Sequence, residues 1–117
     1  MNTDIKKRWI DALNSGDYKQ GQHGLNIGDE FCCLGVLCDL AAADGVVTVV
    51  YEPQFRYVRS YQSFDGETKY LPPAVQSWAG LDNRNPAVAV DHDRSLASLN
   101  DDGYTFEAIA LVIEAAL

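Results

Sequence analysis

The chain has 117 residues, with 17 acidic residues against nine lysines and arginines, and a formal net charge of −8. This length suits a single domain, residues 1–117, with one hydrophobic core. The acidic balance argues against nucleic-acid binding, which depends on clustered basic residues, and no apolar run is long enough to span a bilayer. The N-terminus lacks the features of a secretion signal. We therefore expect a cytoplasmic protein that contacts neither nucleic acid nor membrane.

The N-terminal part of the chain predicts a helix followed by a glycine-rich loop. The helix runs from Thr3, as its N-cap, to Asn14, and Trp9 anchors it in the core. Glycines spaced through residues 17–28 allow backbone amides to approach a ligand ahead of the next helix. Their spacing matches neither the phosphate-loop motif nor the dinucleotide fingerprint, so an ordinary connecting loop is the alternative. Candidate ligand contacts in this loop are Gln20 and His23.

Residues 31–44 form most of the longest apolar run and predict the central helix of the fold. Asp29 is the expected N-cap, and Gly45 is expected in the left-handed conformation after the helix. Apolar side chains occupy nearly every side of this helix, so we expect it to be buried nearly all round. Gly35 in its middle costs about 1 kcal/mol relative to alanine, which predicts close approach of another backbone.

The middle of the chain predicts strands. A β-branched run at 46–51 indicates a strand buried on both faces, and residues 55–64 alternate as a second strand. The turn signal at 65–66 predicts a hairpin whose return strand is 67–71. Its tyrosines and arginines can stack on a base and hold a phosphate, whereas the alternative is an exposed sheet face stabilised by aromatic pairs. The candidate ligand contacts are Arg56, Tyr57, Arg59 and Tyr61.

The C-terminal part predicts short elements and a final helix capped by Thr105. With the earlier segments, these elements predict an α+β domain in which three to four helices pack on a small, mainly antiparallel sheet or hairpin. The short elements are a helix at 74–79, a strand at 87–90, a charged loop at 91–94 and a helical turn at 95–100.

All three cysteines lie in the predicted central helix, where we expect reduced thiols that pack as small hydrophobes. Cys32 and Cys33 are at its first turn, and the glycine loop could bring His23 close, so a small cysteine-dependent hydrolase is an alternative. Adjacent cysteines do not reproduce zinc-site spacing, and the motif at 91–93 lacks the glycine and glutamate of a calcium loop. We predict no catalytic residues, no metal and no cofactor.

Acidic residues are concentrated near the C-terminus, where only Arg84 and Arg94 oppose them. A strongly negative side could bind a basic surface of a host protein, and an evenly solvated surface is the alternative. The acidic residues are Asp82, Asp91, Asp93, Asp101, Asp102, Glu107 and Glu114.

Six motifs run through most of the chain. They are WIDALNSGDYKQG at 9–21, CCLGVLCDL at 32–40, YLPPAVQSWAGL at 70–81, Asn85–Pro86, SLASLND at 95–101 and GYTFEAI at 103–109. In combination they resemble a family of small uncharacterised proteins encoded by bacteriophages and prophages. The resemblance implies action in the bacterial cytoplasm, by binding a host factor or a host immune signal.

The resemblance, the glycine loop and the Arg/Tyr hairpin together lead to one hypothesis. The protein is a non-catalytic phage accessory protein that sequesters a small nucleotide-like ligand of the host. We expect it to form a homo-oligomer, because a small domain often completes its pocket at a subunit interface. The alternatives are an acidic inhibitor of a host protein and the cysteine-dependent hydrolase.

Overall fold

Five helices and two β-sheets make up the part of the chain that the computed structural model describes, residues 1–88 and 94–117. This arrangement confirms the predicted α+β class, with five helices instead of three to four. None of these helices is long and apolar enough to cross a membrane. The helices are α1 (Thr3–Asn14), α2 (Cys33–Ala43), α3 (Pro73–Ala79), α4 (Leu96–Asp101) and α5 (Phe106–Ala116).

The sheets are built from short strands. The larger sheet contains β1 (Lys19–Gln20), β2 (Asn26–Ile27), β3 (Glu30–Phe31), β4 (Val49–Glu52) and β5 (Tyr61–Phe64), and the smaller contains β6 (Ala87–Val88) and β7 (Arg94–Ser95). The larger sheet has the order β1-β3-β2-β5-β4. Its pairs are antiparallel except for β1 with β3, as predicted for a mainly antiparallel sheet.

α1 is held to the core by a buried tryptophan. Trp9 is fully buried, and its indole N–H donates to the carbonyl of Cys33 at 2.9 Å. The helix is capped by Asn2, whose side-chain oxygen accepts from the amide of Ile5 at 3.0 Å. The predicted cap, Thr3, is wrong by one residue and is instead the first helical residue.

The central helix α2 is shorter than predicted. It begins at Cys33 because Glu30 and Phe31 are in β3, where the extended backbone pairs with both β1 and β2. Asp29, the predicted cap, lies in the exposed turn between β2 and β3. Gly45 follows the helix with a φ of 75°, as predicted. Seven of its 11 residues are buried, which confirms its central position.

The close backbone approach predicted at Gly35 is present. A Cβ atom built on Gly35 would lie 1.7 Å from the carbonyl oxygen of Leu25, well inside van der Waals contact. α2 therefore packs against backbone, not side chains, at this point. Leu25 immediately precedes β2, so the contact sets how closely the sheet can approach the helix.

Residues 17–28 are not a simple loop, because they contain β1 and β2. The amide of Gly21 donates to the carbonyl of Phe31 at 2.9 Å, so the glycine segment is bonded to β3. Some of the backbone amides that we expected to be available to a ligand form hydrogen bonds within the sheet instead. The prediction of a loop at 17–28 is wrong for these strands.

The hairpin also differs from its prediction. β4 is exposed along its whole length, not buried, because it lies at the edge of the sheet beyond the core. The predicted strand at 55–64 is interrupted by a turn at Arg56 and Tyr57, across which Phe55 and Val58 exchange two backbone hydrogen bonds of 3.1 and 2.9 Å.

The turn predicted at 65–66 is confirmed, since Asp65 and Gly66 both have positive φ and Phe64 and Glu67 exchange hydrogen bonds of 2.9 Å across it. The return strand predicted at 67–71 is wrong, because pairing with β5 ends at Glu67. β5 instead pairs with β2 and forms a hairpin with β4, and the tip of this hairpin is the turn at Arg56 and Tyr57.

The C-terminal helices largely follow prediction. α3 begins at Pro73 and ends before Gly80, which has a φ of 68°. The side chain of Thr105 caps α5 by accepting from Ala108 at 3.1 Å, and Ser95 caps α4. β6 accounts for the first two residues of the strand predicted at 87–90. The rest of that strand, and residues 91–93 of the charged loop, lie outside the described residues.

Replacing Gly35 with alanine tests the helix contact. Alanine favours a helix over glycine by about 1 kcal/mol, so without a steric conflict the variant would be more stable. Because the added methyl group would overlap the carbonyl of Leu25, we expect the free energy of unfolding, measured with urea, to fall by about 3 kcal/mol.

Gly16→Ala is the control. Gly16 has a positive φ, unlike the helical Gly35, and a methyl group added there would meet no atom of the described residues within 4 Å. Only backbone strain of about 1 kcal/mol is therefore expected. A Gly35→Ala protein as stable as the original chain would contradict the contact.

Candidate ligand-binding site

An open cavity of about 440 Å³ lies where β2 and β5 meet the segment that follows the hairpin. Ile27 and Val58 give it apolar walls, and Tyr61 adds an aromatic ring. Such a combination of apolar wall and a few polar groups is typical of small-molecule sites. The lining residues are His23, Asn26, Ile27, Val58, Arg59, Tyr61, Thr68 and Lys69.

The charge of this cavity is opposite to that of the protein. Arg59 and Lys69 line it together with His23, and none of its eight lining residues in the described part of the chain is acidic. The chain as a whole carries a net charge of −8. The basic side chains of this concave surface favour anions locally. Glu30 and Asp101, which are not in the lining, lie against Arg59 and His23.

Arg59 is positioned by Gly28 in the β2–β3 turn and by Glu30 at the start of β3. Its guanidinium is 3.3 Å from the carboxylate of Glu30, and it lies so close to Gly28 that a Cβ there would be 2.6 Å from the terminal nitrogen of the guanidinium. Gly28 has a φ of 62°, which favours glycine at this turn. Arg59 also borders a second open cavity, of about 450 Å³, which it shares with Gln22.

His23 is held at the rim by Asp101. Its backbone amide donates to one carboxylate oxygen at 2.9 Å, and its Nδ1 lies 3.5 Å from the other. The φ of His23 is 69°, a conformation uncommon for a residue with a side chain. The two contacts to Asp101 account for this backbone position and fix the imidazole between the main cavity and a smaller one of about 120 Å³.

Asn26 forms part of the wall but is committed to the fold. Its amide nitrogen donates to the carbonyls of Gly28 and Glu30 at 3.3 and 3.2 Å, and its oxygen accepts from the amide of Gln62 at 3.1 Å. These bonds join the β2–β3 turn to β5. The wall is therefore preformed, and the polar atoms of Asn26 stabilise it instead of binding a ligand.

Five of the six predicted contact residues separate into two groups. His23, Arg59 and Tyr61 line the cavity. Arg56 and Tyr57 lie at the tip of the hairpin, where the turn directs them away from it, and the Arg56 guanidinium is 5.2 Å from the Phe55 ring. Lys69 also lines the cavity but was not predicted as a contact. Its only signal in the sequence is that it is basic and lies shortly after the turn predicted at 65–66.

Gln20, the sixth predicted contact, borders the second cavity but is used structurally. Its amide nitrogen donates to the side-chain oxygen of Asn100 at 2.9 Å and to the carbonyl of Tyr104 at 2.8 Å. Its oxygen accepts from the amide of Phe106 at 3.1 Å, at the N-terminus of α5. With its donors and acceptor engaged, Gln20 joins β1 to the C-terminal helices.

Asn100 is the buried centre of this network. Its side-chain oxygen also accepts from the amide of Cys33 at 3.2 Å, and its nitrogen donates to the carbonyl of Gly21 at 2.8 Å. The N-cap residue of α2, Cys32, makes no capping hydrogen bond with its own side chain. Asn100 therefore supplies from α4 the cap that the sequence suggested Asp29 would provide.

A family model described as Domain of unknown function (DUF8296) matches residues 1–117. The chain belongs to this family. No curated protein and no solved structure matches the chain. The family assignment names no ligand or reaction, so function has to be argued from the site itself.

The three cysteines are buried and unreactive in character. Burial raises the pKa of Cys32 from its ordinary 9.0 to about 11, and it also raises the pKa values of Cys33 and Cys38. The Cys33 thiol lies 3.6 Å from the carbonyl of Leu96. A nucleophilic thiol needs a lowered pKa and access to substrate, so these positions disfavour the cysteine-dependent hydrolase.

The acidic C-terminal residues are partly engaged by basic side chains. Asp101 contacts His23, and Asp102 pairs with Arg94. In residues 1–88 and 94–117, no group of three or more His, Cys, Asp or Glu side chains is arranged to hold a metal ion. Asp91 and Asp93, which sequence reasoning compared with a calcium loop, lie outside the described residues.

Removing the Asn100 side chain tests the network. Asn100→Ala leaves the amide of Cys33 and the carbonyl of Gly21 without their buried partner. We expect the free energy of unfolding to fall by about 3 kcal/mol, because unsatisfied buried polar groups carry their full desolvation cost. Asn14→Ala, at an exposed position near the end of α1, is the control and should change it by less than about 0.5 kcal/mol. Equal effects of the two substitutions would rule out this role for Asn100.

The buried thiols predict a loss of stability at alkaline pH. Above pH 9 the cysteines of the unfolded chain lose protons while those of the folded protein, with raised pKa values, keep them. The unfolded state then binds fewer protons, so the free energy of unfolding falls as the pH rises, by up to about 1.4 kcal/mol per pH unit for each thiol. Chemical denaturation between pH 8 and pH 10.5 measures this slope.

Cys38→Ala should reduce the pH dependence of the free energy of unfolding by the contribution of one thiol. It is compared with the original chain over the same pH range, so that tyrosine ionisation cancels. Rapid alkylation of any of the three cysteines in the folded protein at neutral pH would contradict their burial and revive the hydrolase alternative.

Proposed function

We propose that this protein binds a small anionic, nucleotide-like ligand in the 440 Å³ cavity and sequesters it without turnover. The observation that carries the proposal is the charge reversal at the cavity. Among the described residues, its lining holds Arg59, Lys69 and His23 and no carboxylate, in a chain with a net charge of −8. An ordinary surface depression of such a protein would be lined by acidic residues as well.

The lining separates into a part for phosphate and a part for a base. Arg59 presents a planar set of donors that suits phosphate oxygens, and Lys69 adds a second positive charge. Tyr61 offers an aromatic face, and Ile27 and Val58 offer apolar contact for a heterocycle. A volume of about 440 Å³ is in the range of small-molecule sites.

Binding without turnover agrees with the chemistry at hand. The thiols have raised pKa values and are buried, so they are poor nucleophiles. The carboxylate of Glu30, beside the cavity, is paired with Arg59. The charged and polar groups that line the cavity include cations, a phenol and a hydroxyl, which recognise phosphate better than they transfer it.

The resemblance to phage-encoded proteins supplies the biological setting of the proposal. In a bacterial host, a protein of this kind would lower the free concentration of a nucleotide signal by binding it stoichiometrically. This role requires an affinity near the signal's concentration and no catalytic machinery. An acidic inhibitor of a host protein is less well supported, because Asp101 and Asp102 already face basic partners within the chain.

Calorimetric titration with cyclic nucleotides and ADP-ribose derivatives tests the proposal. We expect one of these phosphate-bearing compounds to bind, with an affinity that falls as salt rises. Arg59→Gln should weaken that binding by about tenfold to a hundredfold, the effect of losing hydrogen bonds to a charged group. Arg56→Gln is the matched control: it removes the same charge from the same hairpin, outside the cavity.

Tyr61→Ala and Tyr57→Ala give a second matched pair, which tests the base part of the site. Only the Tyr61 substitution should weaken binding, because Tyr57 projects into solvent at the hairpin tip. If none of the compounds binds to protein shown to be folded, or if the Arg56 and Arg59 variants lose affinity equally, this site is not a nucleotide pocket.

A further inference from the structure

The exposed apolar residues of the protein are concentrated on one element. Of the seven large hydrophobic side chains that are exposed in the described part of the chain, six lie between residues 49 and 58, on β4 and the hairpin tip. Tyr51 is 61% exposed, Phe55 67% and Tyr57 fully exposed. Exposed apolar side chains concentrated in this way on a small protein point to an interaction surface.

Within residues 1–88 and 94–117, β4 is also an unprotected sheet edge. It is the last strand in the order β1-β3-β2-β5-β4, and its first three residues, Val49 to Tyr51, carry no charge. The opposite edge, β1, has only two residues, and one of them is Lys19. Natural sheets protect their edges with short strands, charges or prolines. β1 shows such protection and β4 does not, although Pro53 limits its length.

The hydrogen-bonding phase of β4 determines which of its backbone groups are available. The amide of Asp65 donates to the carbonyl of Thr48 at 2.8 Å, so Thr48 directs its backbone towards β5. In an antiparallel ladder the direction alternates, and Val50 and Glu52 therefore also bond to β5, opposite Ser63 and Tyr61. The N–H and C=O groups of Val49 and Tyr51 point outwards.

The same phase is seen on the far side of β5. The amide of Gly28 donates to the carbonyl of Ser60 at 2.7 Å, and the amide of Gln62 donates to the side chain of Asn26. Ser60 and Gln62 thus face β2, which leaves Tyr61 and Ser63 to face β4. The two independent sets of bonds agree that Val49 and Tyr51 present the free edge.

We propose that β4 pairs antiparallel with β4 of a second copy of this chain, about a two-fold axis at Val50. In this register Val49 of one copy lies opposite Tyr51 of the other, and the outward N–H and C=O groups of these two residues exchange hydrogen bonds. Val50 faces Val50 of the second copy as a pair without hydrogen bonds. The two larger sheets become one continuous sheet of ten strands.

A second copy is the occupant that this edge fits, for three reasons. A two-fold axis through Val50 brings together the outward-pointing groups of both strands, so the edge is self-complementary, as an isologous interface requires. It also places Glu52 opposite Thr48 of the second copy, so the carboxylates do not face each other. Val49 lies opposite Tyr51 of the second copy, and a β-branched residue opposite an aromatic residue is a favourable cross-strand pair.

The available area agrees with a dimer. At 150–250 Å² for each buried aromatic side chain, the exposed parts of Tyr51, Phe55 and Tyr57 with the neighbouring valines offer roughly 600 Å² on each copy. Standard interfaces use about 800 Å² on each partner. Backbone hydrogen bonds between the two β4 strands add to this contact. We therefore expect a reversible dimer that forms at micromolar protein concentration.

A cysteine placed on the proposed axis tests the register directly. Val50→Cys puts two thiols opposite each other in a non-hydrogen-bonded pair, where the Cα atoms are about 4.5 Å apart and a disulfide can form. We expect mild oxidation to convert this variant to a covalent dimer. Thr48→Cys is the matched control, because the two copies of residue 48 would be about 13 Å apart along the strands. The native cysteines are buried and should not interfere.

Sedimentation equilibrium gives the second readout. The chain has a mass of 12.9 kDa, and we expect twice that mass for the native protein at micromolar concentration. Val50→Lys, with two lysines on the axis, should restore the monomer, whereas Leu111→Lys, at an exposed position on α5, should leave the dimer intact. Circular dichroism confirms that the variants are folded.

Either of two results would overturn the proposal: a native protein that remains monomeric at high micromolar concentration, or a dimer that Val50→Lys does not dissociate and Val50→Cys does not cross-link. The second result would place the interface on another surface. The ligand titration tests a separate surface, since Val50 and Thr48 do not line the cavity.

Discussion

The backbone of α2 lies directly against the backbone of Leu25, and this contact determines where the sheet can lie. Only glycine at position 35 leaves room for it. The amide of Leu25 in turn donates to the carbonyl of Thr68 at 2.8 Å. One contact in the core therefore positions both β2 and the segment containing Lys69, which form two of the walls of the cavity. The site is a consequence of how closely helix and sheet approach.

The N-terminus of α2 imposes a second constraint, because its free amides need acceptors. Asn100 provides one for the amide of Cys33 and at the same time binds Gly21 and Gln20. Asn100 thus ties the glycine-rich segment to α4. The next residue, Asp101, accepts a hydrogen bond from the backbone amide of His23. A segment whose composition suggests freedom is fixed by side chains that lie about 80 residues away in the chain.

Features governed by local chemistry could be predicted from the sequence. The end of α3 at Gly80, the cap of α5 at Thr105 and the close approach at Gly35 each depend on a few neighbouring residues or on the intrinsic cost of glycine. The strands β1, β2 and β3 could not, because strands of two residues have no period to detect. Their existence depends on partners elsewhere in the chain, and β3 removed the expected first turn from α2.

The same reason explains which candidate site residues reached the cavity. Alternation along a continuous strand would place Tyr57, Arg59 and Tyr61 on one side. The two-residue turn at Arg56 and Tyr57 reverses the chain, so only the residues after it follow β5 to the cavity. Gln20 was predicted as a ligand contact, and it borders the second cavity. Its amide is used to bind Asn100 and α5.

The hairpin connects the two proposals, because its two strands have different neighbours. β5 pairs with β2 and carries Tyr61 into the cavity, whereas β4 pairs only with β5 among the described strands. In a monomer the outer strand is held from one side, and at the tip Phe55 and Val58 bond to each other across the turn. Pairing of β4 across a two-fold axis would hold this strand from both sides. Dimerisation would then order the wall that carries Arg59 before a ligand arrives, which lowers the entropic cost of binding.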